Sequence, residues 1–114
     1  MLPEEDRVRL QHMMDAAAEA LCFAKGKTRA HLDSDRKLTL AIVRLIEIIG
    51  EAANQVSAAT KGAATGIPWP SIVAMRNRIV HAYFDIDLDR VWETLTDDLP
   101  PLIAELSRLL GGRP

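Results

Sequence analysis

Apolar residues return every three or four positions along most of this chain, and the stripes they draw predict helices rather than strands. From Pro3, suited to a first helical turn, the residues Val8, Leu10, Met13, Met14, Ala17, Leu21 and Ala24 form one face that stops before Gly26. The stretch 25–35 is polar. Within it Thr28 is placed to cap a short turn around 30–32, and Ser34 or Asp35 to start the next helix. That second long helix is expected to run to about residue 59. Its main stripe is Leu38, Ile42, Leu45, Ile46, Ile49, Ala53 and Val56, while Leu40, Val43, Ile48 and Ala52 draw a second apolar face. A helix apolar on two sides is central in a bundle or shared with a partner chain, so homodimerisation is expected.

The glycines and small residues of 61–68 form no core pattern and read as a flexible connection. Pro70 then fits the first turn of a third helix, on which Ile72, Met75 and Ile79 are the apolar anchors and the segment 76–81 is carried. Asp85-Ile86-Asp87 breaks the pattern, and Asp87 or a neighbour can cap a final helix. In that helix Leu88, Val91, Trp92, Leu95, Leu99, Leu102, Ile103, Leu106 and Leu110 keep phase across Pro100 and Pro101, which predicts one kinked helix or two nearly coaxial pieces. No strand signal competes. The expected fold is all-α, an up-down bundle of four to five helices, with residues 1–114 as a single domain.

Composition narrows the partners more than the fold. A formal charge of −2 excludes the broad basic surface of a generic nucleic-acid binder, so any nucleic-acid contact must be local. The one cysteine, Cys22, permits no internal disulfide framework and is expected to pack as a small apolar residue in a reducing compartment. The acidic start Glu4-Glu5-Asp6 is unlike a signal peptide, and no apolar run approaches the ~18 residues of a membrane span, so a soluble cytoplasmic protein without membrane contact is expected.

Candidate chemistry is concentrated in Met75-Arg76-Asn77-Arg78-Ile79-Val80-His81-Ala82-Tyr83-Phe84. A fixed cation, an amide, an imidazole and a phenol between apolar anchors suit work on phosphate. On a continuous helix Asn77 and His81 would share a face and Arg76 and Tyr83 would return almost to one angle, with Arg76 and His81 about 140° and about 7.5 Å apart, close enough to reach one phosphate. Asn77 is expected to orient His81. Arg78 reads as a solvated cation ahead of an RNA contact, Glu47 and Glu51 either approach the cleft or brace Arg44 and are left outside the site, and Trp69 and Trp92 read as core anchors. His12 and His31 stand in no constellation with other ligand types, so no metal site is expected.

Arg76-x-x-x-x-His81-x-Tyr83 is similar to the signature of HEPN-domain ribonucleases, and the chain around it resembles the HepT toxin family of HepT–MntA toxin–antitoxin systems. The resemblance includes the run from Arg44 to Ala53, Ile67-Pro68-Trp69, Tyr83-Phe84-Asp85-Ile86-Asp87, Val91-Trp92 and Asp98-Leu99-Pro100. It implies a HEPN-like homodimer with a composite cleft and a metal-independent endoribonuclease that needs no cofactor. In that chemistry the ribose 2′-hydroxyl attacks the adjacent phosphorus and leaves a 2′,3′-cyclic phosphate. Arg76 and His81 would be the catalytic pair, Asn77 and Tyr83 would support substrate binding, and RNA would be the substrate. The resemblance also implies an MntA-like nucleotidyltransferase antitoxin that transfers AMP to Tyr83 and silences the toxin. A second reading is a non-catalytic HEPN dimer that binds a nucleotide or a partner protein; RNA cleavage in chelator separates the two.

Overall fold

A computed structural model describes residues 2–81 and 85–111, and among them helix dominates. Helix α1 spans Glu4–Ala24, with Glu4, Glu5 and Asp6 in its first turn, where carboxylates oppose the positive end of the helix dipole. Its buried face, Leu10, Met13, Ala17 and Ala20, packs on α3, Arg36–Asn54, in the most extensive helix pairing of the fold. Between them lies α2, Arg29–Ser34, capped at Thr28, whose N–H donates to His31 Nδ1 at 2.9 Å. Asp35 caps α3 by accepting from the Leu38 N–H at 3.1 Å.

The chain itself covers most of both apolar faces of α3. Ile42, Ile46 and Ile49 have no exposed surface, and Val43 and Ala52 from the second face are also buried. Leu40 alone among those residues is open, 45% exposed. Central position in the bundle therefore accounts for nearly all of the second stripe.

Helix α3 ends at Asn54, five residues before the expected stop. Helix α4, Ala58–Ala63, starts afresh because Ser57 caps it, its Oγ accepting from the Thr60 N–H at 3.3 Å. The break is pinned from α1: the buried Asp6 carboxylate accepts from the Ser57 N–H at 3.0 Å, from Ser57 Oγ at 2.6 Å and from the Thr60 hydroxyl. The stretch 61–68 is likewise no bare connector. Its first residues finish α4, Ala64 and Ile67 are buried, and Trp69 Nε1 donates to the Ala64 carbonyl at 3.0 Å. Trp69 is the expected core anchor, whereas Trp92 is half-buried. Cys22 is exposed on α1, not packed inside.

The third expected helix divides into α5, Trp69–Val73, and α6, Met75–Ile79, separated at Ala74. Ile72, Met75 and Ile79 are the anchors, all buried. Helix α5 lies so close to α3 that a Cβ on Gly50 would sit 3.3 Å from the Val73 carbonyl oxygen. After Ile79 the chain extends, and Val80 forms an isolated antiparallel bridge with Ile86. The His81 N–H donates to the Asp85 carbonyl and the Asp87 N–H to the Ile79 carbonyl, both at 2.8 Å. Two β-branched residues facing each other favour this extended pairing over another helical turn.

Asp87 caps α7, Leu88–Glu93, through the Arg90 N–H at 3.1 Å. The helix widens into a π turn over Thr94–Asp98, where the Leu99 N–H reaches back to the Thr94 carbonyl, and continues as α8, Leu99–Leu109. Pro100 and Pro101 fall in the first turn of α8, where a missing N–H is tolerated. Val91, Leu95, Leu99, Leu102 and Leu106 are buried along the whole run.

Candidate functional site

Helix α6 presents Arg76 toward α3. Its Nε donates to Glu47 Oε2 at 2.7 Å, a charge-assisted bond across two helices. Glu47 in turn lies 3.7 Å from Arg44, which also reaches Glu51 at 3.4 Å. The Arg76 side chain remains 41% exposed, and among the described residues its terminal nitrogens carry no hydrogen bond. A guanidinium held at Nε and open at its fork is preset for two parallel bonds to a phosphate.

His81 stands two residues beyond the end of α6, so the shared helical face expected for Asn77 and His81 does not exist. Its backbone is fixed by Asp85 rather than by a preceding helical turn. The imidazole is 53% exposed, with Nε2 lying 3.8 Å from Asp87 Oδ2. Asp87 is in turn held as the cap of α7, so the acid beside the ring is a fixed one. Asn77 is exposed on α6, and the four-residue helical spacing that would let it orient His81 ends at Ile79. Tyr83 lies outside the described residues.

The end of α6 and the Val80–Ile86 bridge border a groove of about 400 Å³, lined by Arg36, Leu40, Val43, Arg44 and Glu47 from α3 and by Val80 and Ile86. Arginine stems over apolar residues make a surface that can follow a phosphate backbone despite the acidic overall charge.

Glu47, placed outside the site on its sequence pattern, meets both Arg76 and Arg44, and Asp87, expected as a cap, also stands beside His81. A signal for Glu47 was present: a carboxylate between Ile46 and Ile48, at the edge of a buried stripe, needs a cation when it is partly withdrawn from water. What the sequence could not supply was which arginine would meet it. His12 is exposed, and His31 serves the α2 cap.

A family model described as "Ribonuclease HepT-like" matches residues 13–109. The chain belongs to the HepT-like ribonuclease family. Among its relatives is a protein named "Probable ribonuclease HepT" from Thermococcus cleftensis, 36% identical over 75 residues that cover 66% of this chain and 68% of the relative. A protein named "Putative RNase" from Caldanaerobacter subterraneus is 30% identical over 104 residues, covering 91% of this chain and 93% of its own. A "Gamma-glutamylcyclotransferase and putative RNase" from Methanocaldococcus jannaschii is 29% identical over 104 residues, 91% of this chain but 47% of that longer protein. No solved structure gives a significant match. A ribonuclease family implies RNA as the substrate class. No helix among the described residues is long and apolar enough to cross a membrane.

Proposed function

We propose that this HepT-like chain is a metal-independent endoribonuclease whose site is centred on Arg76 and His81. The observation that carries the reading is the Arg76 guanidinium, anchored at Nε by Glu47 and, among the described residues, without a hydrogen bond at its fork, on the helix that leads into His81. His81 removes the proton of a ribose 2′-hydroxyl as that oxygen attacks the adjacent phosphorus, and Arg76 holds the charge that develops on the phosphoryl oxygens. The bond from phosphorus to the 5′-oxygen breaks, a proton is delivered to that oxygen, and a 2′,3′-cyclic phosphate remains. Base catalysis contributes about 10²–10⁴-fold and one preset electrostatic donor about 10²–10³-fold. No cofactor enters this scheme.

The single histidine of the signature, His81, supplies a base but not also the acid for the leaving oxygen. A homodimer of HEPN-like domains provides the second, with Leu40 and the half-buried Ile48 as the apolar residues that α3 leaves uncovered. A mixed dimer with one His81→Ala protomer then loses most of its per-site rate; full retention would refute the shared site.

The resemblance of the Arg76–Tyr83 signature supports a toxin of a type VII-like toxin–antitoxin system, silenced when an MntA-like nucleotidyltransferase transfers AMP to Tyr83. An added phosphodiester beside Arg76 would occupy the position of an RNA phosphate. Tyr83→Phe should resist silencing, read by intact mass and by survival on co-expression.

Purified chain incubated with RNA in chelator tests the core of the reading. Cyclic-phosphate ends that vanish in Arg76→Ala and His81→Ala support it, whereas RNA bound without cleavage by the intact chain would make this a binding module.

A further inference from the structure

Across α6 from Arg76, a second pocket has no part in the scheme above. Arg76 and Arg78 are two residues apart, about 200° around the helix, so they face opposite sides. Arg78 lines a cavity of about 230 Å³ together with Met75 and Ile72, and its far wall is formed by Asp97, Asp98 and Leu102. Most of the remaining lining is apolar, and the polar side chains are the Arg78 guanidinium, two neighbouring carboxylates and the Ser71 hydroxyl.

The π turn Thr94–Asp98 is what brings two consecutive acids to one wall, and such turns are frequent at functional sites. The Asp98 residue is exposed overall, but its carboxyl is partly withdrawn from water over the pocket, which raises its pKa against the pull of Arg78. Pro68 and Pro101 contribute rigid apolar surface that needs no further ordering when a flat ring enters. These features describe a small site, somewhat below the ~300 Å³ at which pockets for drug-sized ligands begin.

We propose that this pocket binds a guanine base. Guanine presents two N–H donors, N1 and the exocyclic amine, next to two acceptors, O6 and N7. The carboxylates suit the first pair and a forked guanidinium suits the second. Adenine would set its unprotonated N1 against a carboxylate. Cytosine offers the fork N3 and O2 but only one donor group, its N4 amine, to the carboxylates, and uracil lacks an adjacent acceptor pair. The apolar walls pack on the ring faces. Because the pocket and Arg76 are held on one short helix, the base it takes from an RNA strand lies at a set separation from the scissile phosphate, and cleavage falls at a fixed offset from guanosine. That last consequence rests on the ribonuclease reading; the base site itself does not.

Two measurements on the full chain separate the two claims. In the first, GMP, AMP, CMP and UMP are titrated against the chain by calorimetry. The expected result is preference for GMP, lost by on the order of ten- to a hundredfold in Asp98→Asn and in Arg78→Ala, since a bidentate base contact discriminates by about that factor. Equal affinity for all four, no binding of GMP, or GMP affinity unchanged in both variants would overturn the site. Circular dichroism of each variant confirms that the fold is kept, and Arg78→Lys, which retains the charge but not the fork, should lose the preference as well. In the second, oligonucleotides carrying a single guanosine at different positions are cut. Cuts that track the guanosine in the intact chain and scatter in Asp98→Asn place the site on the substrate path. GMP binding with cuts that ignore guanosine would overturn that path while leaving the base site standing.

Discussion

Arg76 on α6 and Glu47 on α3 are joined by a 2.7 Å bond from Nε to Oε2, so the position of the proposed catalytic cation is set by a helix other than its own. Glu47→Ala is expected to lower kcat for RNA cleavage by about ten- to a hundredfold, the range in which small misplacements of a catalytic group fall. RNA affinity should hold or rise, because Arg76 loses a competing carboxylate. Separate kcat and KM values check this; a rise in KM with kcat unchanged would assign Glu47 to ground-state binding instead. Glu47→Gln, which keeps an acceptor without its charge, should lie between.

Asp87 serves two elements at once, capping α7 and standing 3.8 Å from His81 Nε2. Asparagine caps a helix as well as aspartate does, but alanine does not. Asp87→Ala should therefore lose about 1 kcal/mol of stability and Asp87→Asn almost none. Both should slow cleavage, since both remove the carboxylate beside the imidazole. Chemical denaturation and single-turnover rates on the two variants test the division.

Asp6 links the start of α1 to the cap of α4, and hydrogen bonds from Ser57 and Thr60 hold its pKa below the ordinary aspartate value. The unfolded chain then binds this proton at a higher pH than the native one. The stabilisation is complete above the unfolded value of about 3.9 and is lost as the pH falls through the lowered native value. Asp6→Asn should melt at a lower temperature than the parent at neutral pH, and the gap should narrow on acidification below about pH 4. Thermal melts at several pH values show whether it does.

Gly50 permits the close crossing of α3 and α5, with a Cβ there meeting the Val73 carbonyl oxygen at 3.3 Å. Alanine gains about 1 kcal/mol of helix propensity and gives back much of it in crowding against backbone. A near-neutral Gly50→Ala is expected. Gly50→Leu should destabilise by about 1–3 kcal/mol, as overpacked sites do, and slow cleavage by pushing away the helix pair that carries Arg76. Melting temperature and rate together test this, and a destabilised variant with full activity would uncouple the crossing from the site.

The long helices were legible because their stripes are long: α1 and most of the expected second helix need only a 3.6-residue period and caps at Pro3 and Asp35. What escaped was decided by partners distant in sequence. Val56 keeps the α3 phase, yet Asp6, about fifty positions away, claims Ser57 and starts a new helix. Val80 likewise pairs with Ile86 instead of continuing the helix that periodicity drew through it, which moves His81 off the face of Asn77. Arg76 and His81 are candidates because of the family signature, whereas the bond that ties Glu47 to Arg76 depends on the crossing of α3 and α6.

The π turn at Thr94–Asp98 also bears on how this chain can change in length. A π turn holds one residue more than an α turn, so removing one residue there lets ordinary helix close without rotating Val91 relative to Leu102. Anywhere else in α7 or α8 the same deletion would swing the downstream apolar face by about 100° out of the core. Shortened forms of this helix should therefore lose their residue at this turn, and with it the two-acid wall opposite Arg78.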